Sequence, residues 1–128
     1  MNMVRQYGLS PTEYELMDYF WNLDEPKRFG EVLSYFNENK NKNWKKQTLN
    51  TYLKFLQEDG LLSIDTKFPR KRYYAAIPRE EHLHQWICAV CREAFGGSIV
   101  RLLDAYAGGE KLDKKTASSL KKYIKQHS

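Results

Sequence analysis

The stretch Lys45-Lys46-Gln47-Thr48-Leu49-Asn50-Thr51-Tyr52-Leu53-Lys54-Phe55-Leu56-Gln57-Glu58-Asp59-Gly60 has a helical period and two unlike faces. At about 100° per residue, Leu49, Tyr52, Leu53 and Leu56 share an arc of about 100°. Gln47, Asn50, Thr51 and Lys54 fill the opposite arc. An ordinary solvent face mixes Glu with Lys; this one carries no acid before Glu58. Its side chains are those that hydrogen-bond base edges and phosphates. The pattern predicts a helix over residues 45–58, stopped at Asp59-Gly60, where Gly60 can take the left-handed conformation after the last turn.

The flanking segments supply a domain around this helix. Leu9-Ser10-Pro11-Thr12-Glu13-Tyr14 reads as a helix start, with Ser10 as N-cap, Pro11 at the first helical position and Glu13 completing a capping box. Leu9 and Tyr14 can staple it. Leu16, Met17, Phe20 and Trp21 then form one buried stripe, and the helix should end near Asn22 before the turn at Asp24-Glu25-Pro26. A second helix is expected over residues 29–37, with Phe29, Val32, Leu33 and Phe36 inward, followed by an Asn-rich loop over residues 37–43. After Gly60, Leu62 and Ile64 alternate on one strand. Lys71-Arg72-Tyr73-Tyr74-Ala75-Ala76 is its aromatic partner, and residues 66–70 with Pro69 form the tip. Three helices and a basic-tipped hairpin describe a winged helix-turn-helix, in which the third helix enters the major groove and the hairpin touches the neighbouring backbone.

Charge is distributed to match. The chain has 128 residues, 21 Lys plus Arg against 16 Asp plus Glu, and a net charge of +5. Residues 39–57 carry five Lys and no acid, and residues 66–74 carry Lys67, Arg70, Lys71 and Arg72 and no acid. Two such blocks in adjacent elements suggest a footprint for a phosphate backbone. A third block, between Lys111 and Lys125, reads as the solvent face of a final helix. The length suits one domain with an appendage, large enough to hold a core without disulfides or metal. No apolar run nears the roughly 20 residues of a bilayer span, and residues 1–8 lack a signal peptide's apolar stretch, so a cytoplasmic protein without membrane insertion is expected.

The remainder divides the chain into residues 1–77, the DNA-binding domain, and 78–128, a helical dimerisation region. A long helix over residues 79–95 lines up Leu83, Trp86, Ile87, Val90 and Ala94, with Phe95 on a second stripe. Gly96-Gly97 breaks it. Ser98 caps a short helix with Ile99, Leu102, Leu103 and Tyr106, ended by Gly108-Gly109. Asp113 caps a last helix with Ala117, Leu120 and Ile124 inside. Three amphipathic helices after a complete small domain have too few neighbours in their own chain, so a twofold dimer is expected.

These residues resemble the BlaI/MecI family of penicillinase and methicillin-resistance repressors, whose relatives include copper-responsive repressors. The likeness covers nearly the whole chain. It rests on the run from Leu9 to Met17 and on Trp21, on Thr48-Leu49-Asn50-Thr51-Tyr52-Leu53-Lys54-Phe55-Leu56 with Gly60-Leu61-Leu62, on Arg72-Tyr73-Tyr74, and on Phe95-Gly96-Gly97. The resemblance implies a homodimeric repressor on a pseudo-palindromic operator, binding DNA through Lys45, Lys46, Gln47, Thr48, Asn50, Thr51 and Lys54, with Lys67, Arg70, Lys71 and Arg72 as the wing. Dimerisation falls to Leu83, Trp86, Ile87, Val90, Phe95, Ile99, Leu102, Leu103, Leu120 and Ile124. Members commonly carry Arg where Asn50 stands; Asn50 suits a bidentate pair with adenine, a contact worth about 1–3 kcal/mol of discrimination. In antibiotic-responsive members a membrane-bound sensor triggers cleavage of an Asn-Phe bond in the short helix. The aligned pair here is Ala105-Tyr106, which keeps the aromatic and not the Asn. The double Cys-x-Cys of the copper-responsive relatives has no counterpart, so copper sensing by that route is not expected.

Other chemistries find less material. Cys88-Ala89-Val90-Cys91, with His84 one turn earlier, raises a metal- or redox-responsive reading, but a tetrahedral site would lack ligands and the bland alternative is a small apolar stripe. His82 and His127 are read as surface groups. There is no Gly-rich phosphate loop, no Ser-His-Asp set and no evident carboxylate pair, so neither an enzyme nor a cofactor is expected. A winged-helix adaptor that meets protein would expose apolar or acidic groups on the third helix, where Gln47, Asn50, Thr51 and Lys54 stand instead.

Overall fold

Helix α1 (Pro11–Trp21) begins as its sequence dictates. The Ser10 hydroxyl accepts the Glu13 N–H at 3.2 Å and the Glu13 carboxylate accepts the Ser10 N–H at 2.9 Å, closing the capping box. The structure, a computed structural model, describes residues 7–128. The reading of residues 1–8 as free of an apolar leader therefore lies outside the described residues, except for Tyr7 and Gly8.

Element order is α1, β1 (Lys27–Arg28), α2 (Phe29–Asn39), α3 (Lys46–Glu58), β2 (Leu62–Asp65), β3 (Arg72–Ala75), α4 (Arg79–Phe95), α5 (Ile99–Ala107) and α6 (Lys114–Gln126). The three strands form one antiparallel sheet in the order β1-β3-β2. Ile64 lies opposite Tyr73, and Lys27 lies opposite the same tyrosine on the other side. This confirms a winged helix-turn-helix with helices after it. Strand β1 was not expected. Two residues are too few to show a period of two, and only tertiary pairing with β3 makes them a strand. Helix α2 also runs two residues past the expected stop at Asn37, because nothing in Glu38-Asn39 breaks it. The turn comes at Asn41 and Asn43, both left-handed with φ of 54° and 55°, a conformation that Asn tolerates better than most residues.

The chain forms two compact units, Met1–Trp86 and Ile87–Ser128. In the first, the core is one cluster in which Leu16, Met17, Val32, Phe36, Leu49, Leu53 and Leu56 are almost wholly excluded from solvent. Leu9, Phe20, Leu61, Leu62 and Tyr73 complete it. The helix stop at Asp59-Gly60 works as read, since Gly60 has φ +77° and the Leu61 N–H returns to the Leu56 carbonyl at 3.0 Å.

The first turns of α4 belong to this unit. The Arg79 guanidinium donates to Asp18 at 2.7 Å and to the Tyr14 hydroxyl at 3.1 Å, and lies 4.9 Å from the centre of the Trp21 ring. The Asp18 bond holds the Arg79 guanidinium above its usual pKa. His82 corrects the sequence reading. It is buried, its ring lies 5.6 Å from Trp21, and its Nε2 is 2.8 Å from the Tyr7 carbonyl oxygen. A single His among polar neighbours gave no sign of this, because the partners come from the distant Tyr7 and α1. His127 is exposed, with its ring stacked 4.0 Å from Tyr123.

In the second unit the helices end as their glycines require. Gly97 donates to the Cys91 carbonyl at 2.9 Å after α4, and Gly108, left-handed at φ 62°, closes α5. The Ser98 hydroxyl accepts the Arg101 N–H, and the Asp113 carboxylate accepts the Thr116 N–H at 2.7 Å. Neither α5 nor α6 has a buried residue.

Candidate nucleic-acid interface

Helix α3 is fixed from one side only. Leu49, Leu53 and Leu56 are fully buried beneath it, so the opposite arc is held outward by the core. Lys45, Lys46, Gln47, Asn50, Thr51 and Lys54 are exposed, and Thr48 is half-buried. The Thr51 hydroxyl donates to the Gln47 carbonyl at 2.9 Å, which satisfies its proton and leaves its oxygen as an acceptor. Lys45 is the N-cap residue, with no side-chain cap bond, and no acid stands in the first turn. Cations at a helix N-terminus oppose the helix dipole. That cost is offset when a phosphate binds there, where both the lysines and the free N–H groups favour negative charge.

The turn that delivers α3 is locked by Asn37. Its amide donates to the Trp44 carbonyl at 3.0 Å and its oxygen accepts the Trp44 N–H at 2.7 Å, while the Trp44 ring stacks 5.1 Å from Phe36. Lys42, which the charge count placed in the basic block, pairs with Glu15 at 2.6 Å and ties this turn to α1.

The wing is built from β2 and β3. At its tip the Asp65 carboxylate accepts the Lys67 N–H at 2.9 Å. Lys67, Arg70 and Lys71 are exposed. Arg72 is half-buried, with its guanidinium 4.0 Å over the Phe68 ring and its Nε buried without a hydrogen-bond partner. It braces the tip as well as adding charge. Arg28 is the residue that sequence reasoning missed. Strand β1 sets it opposite Arg72, and Arg28, Arg70 and Arg72 line one hollow with Phe68 and Pro69. Like charges opposite each other on paired strands are unfavourable. The residue sits in an acid-rich stretch of sequence, and only the unforeseen strand brings it to the wing.

An open cleft of about 830 Å³ lies over β1 and the first turns of α2, lined among others by Arg28 and Ser34, with Lys46 from the start of α3 and Arg70, Lys71 and Tyr73 from the wing. Glu31 also lines it. The Arg28 N–H and guanidinium bond its carboxylate at 3.0 and 3.2 Å and hold its pKa below the usual carboxylate range. The acid is thereby spent within the protein. Lys46 from α3 and Arg70 and Lys71 from the wing give the cleft a cationic lining that favours an anion. Phe55, half exposed on the edge of α3, was also passed over; an apolar residue there is indistinguishable in sequence from core material.

A profile of the penicillinase repressor family matches residues 9–126. The chain belongs to that family. No curated protein matches the sequence. Penicillinase repressors are DNA-binding transcriptional repressors, regulators and not an enzyme family, and the surface of α3 and the wing suits that activity. No helix among the described residues is long and apolar enough to cross a membrane.

The other residues singled out from the sequence lie along α4, α5 and α6. In this repressor Trp86 packs edge-on to Tyr7, with ring centres 5.5 Å apart, inside the first unit. Leu83, Val90, Phe95, Leu102, Leu103 and Leu120 are half-buried, and Ile87, Ile99 and Ile124 are exposed. Ala105 is exposed and Tyr106 is 73% exposed on α5. Cys88 and Cys91 are half-buried and not joined in a disulfide, and His84 is exposed. Among the described residues no three His, Cys, Asp or Glu side chains are grouped to hold a metal.

Proposed function

We propose that this penicillinase repressor acts as a homodimer that reads a pseudo-palindromic operator, one half-site for each copy of α3. The carrying observation is the outward arc of α3: Lys46, Gln47, Asn50, Thr51 and Lys54 exposed and free of acid, over a face that the core fixes. Gln47 and Asn50 read base edges, Asn50 through adenine; Lys45, Lys46, Lys54 and the wing residues Lys67, Arg70 and Lys71 hold phosphates. Arg28, beside them on β1, is paired with Glu31 and is not counted among the phosphate contacts.

Dimerisation through the helical region 78–128 is supported by the apolar groups left exposed within it, Val100 at 70% and Ile99 at 58% among them. A dimer matches the twofold symmetry of a palindrome, and each bound half raises the effective concentration of the other. Inactivation by cleavage at Ala105-Tyr106, signalled from a membrane sensor protease, would remove that gain. The exposure of both residues on a nine-residue helix supports this.

Fluorescence anisotropy against duplex from the gene's own upstream region and against scrambled duplex, across several salt concentrations, tests the reading. Specific binding stronger by about 10³ or more is expected, with a salt slope that flattens in Lys54→Ala. Equal weak binding to both duplexes overturns sequence reading by α3. Repressor that stays intact when mixed with membranes of induced cells sinks the cleavage step.

A further inference from the structure

Helix α6 carries a second basic face that neither α3 nor the wing accounts for. Lys114, Lys115, Lys121, Lys122 and Lys125 are all exposed, and at about 100° per residue they share an arc of about 120°. Leu120, Tyr123 and Ile124 lie on the other side. Every ion pair among the described residues involves positions 15 to 79, so none of these five lysines is paired.

A merely solvated face would not be written this way. Solvent faces of helices gain stability from Glu and Lys four residues apart. Here Lys121 and Lys125 are four apart and Lys122 and Lys125 three apart, so like charges repel. Lys114 and Lys115 stand in the first turn, against the helix dipole, and the N-cap Asp113 is already bonded to the Thr116 N–H. The arrangement costs stability in the free protein and recovers it against a polyanion.

We propose that this lysine face is a second phosphate-binding surface, which grips the backbone of duplex DNA without reading sequence. The proposal rests on the DNA-binding reading above, since DNA is the polyanion a repressor meets. Its apolar side remains available for a second copy of the chain, so assembly and phosphate contact use opposite faces of one helix. The surface adds affinity and counterion release, not base preference.

The full-length protein, titrated by anisotropy onto a mixed-sequence 40-bp duplex between 50 and 200 mM KCl, decides it. Replacing Lys115, Lys121 and Lys122 by Gln keeps helix propensity and should make the slope of log K against log salt less negative by about 2 to 3 for each bound chain. A control with Lys40→Gln, Arg92→Gln and Arg101→Gln removes the same charge from exposed residues elsewhere and should change the slope by less than about 1. Equal changes in both overturn the proposal, as does no change in the first. Should the triple variant lose helicity by circular dichroism, Lys121→Gln with Lys122→Gln carries the same test, with an expected change of about 2. A Lys46→Gln, Lys54→Gln variant separates the two readings. If its slope flattens while the α6 variant's does not, DNA binding by α3 stands and the second surface fails; if neither flattens, both fail. Sedimentation with phosphatidylglycerol vesicles supplies the last outcome. Capture of the wild type and not of the α6 variant, with DNA slopes unchanged, assigns the face to lipid and overturns it as a DNA surface.

Discussion

The two units of this repressor bury their apolar residues to very different degrees. Residues 7–86 hold every fully buried hydrophobic side chain among the described residues, gathered under α3 and the sheet. Residues 87–128 hold none, and leave Ile99, Val100, Tyr106, Tyr123 and Ile124 more than half exposed. The first unit finishes its core with its own chain. The second has helices with sound caps and stops and half-buried apolar residues but no fully buried one, so the proposed dimer should contribute much of its stability.

The sharpest way to break that contrast is to charge the second unit. If the proposed dimer forms through this unit, Ile99→Asp with Leu103→Asp should convert it to monomer in sedimentation equilibrium and weaken operator binding by about 10² to 10⁴, the tether's effective-concentration gain. The near-ultraviolet circular dichroism of Trp21 and Trp44, both in the first unit, should stay native. If that signal collapses, the first unit depends on the second and the contrast is wrong. If binding is unchanged, the dimer forms elsewhere.

The next effect falls on the other side of the comparison. Leu53 is fully buried at the centre of the α3 interface, and Leu53→Ala should cost about 2–5 kcal/mol. Urea denaturation should report a midpoint that falls in proportion and does not depend on protein concentration. Wild-type unfolding of residues 87–128, followed by hydrogen exchange, should by contrast shift with dilution.

The same contrast explains what could be read from the sequence. The first unit was legible almost to the residue because local signals and the hydrophobic period agree there: Ser10, Pro11 and Glu13 start α1, and Gly60 stops α3. The caps at Ser98 and Asp113 were legible for the same reason. What escaped depends on partners far along the chain. Strand β1 exists only because β3 pairs with it, and with it went Arg28 as a wall of the basic cleft. His82 faces Tyr7 and Trp21, 75 and 61 residues away, and composition cannot announce such a neighbourhood. The basic block over residues 39–57 was legible as charge, yet Lys42 spends its charge on Glu15, a pairing across 27 residues. Periodicity reports which face is buried, not who covers it.

His82 gives an effect of middle size. Its removal in His82→Ala leaves a hollow against Trp21 and loses the contact with the Tyr7 carbonyl, at a cost of about 1–3 kcal/mol. Arg79→Gln should cost less, about 0–1 kcal/mol, because its ion pair with Asp18 is partly open to solvent. Paired thermal melts rank them. If Arg79→Gln is the more damaging, the first turn of α4 is held by charge and not by burial.

The smallest effects come from the caps, one in each unit. Ser10→Ala should cost about 1 kcal/mol, because α1 is locked into the core and losing its start is felt by the whole unit. Asp113, which caps α6, is exposed. The Thr116 N–H bonds hold its carboxyl below its usual pKa. A carboxyl whose pKa is lower folded than unfolded adds stability above its ordinary pKa, and that stability is lost as pH falls through the depressed folded value. Helicity of residues 114–126, followed by NMR amide shifts, should therefore fray on acidification below the usual Asp range while α1 stays intact. In Asp113→Asn the cap persists as a neutral acceptor, and the acid-induced fraying should vanish. Fraying that survives in Asp113→Asn would mean that the titrating group is not the Asp113 carboxyl.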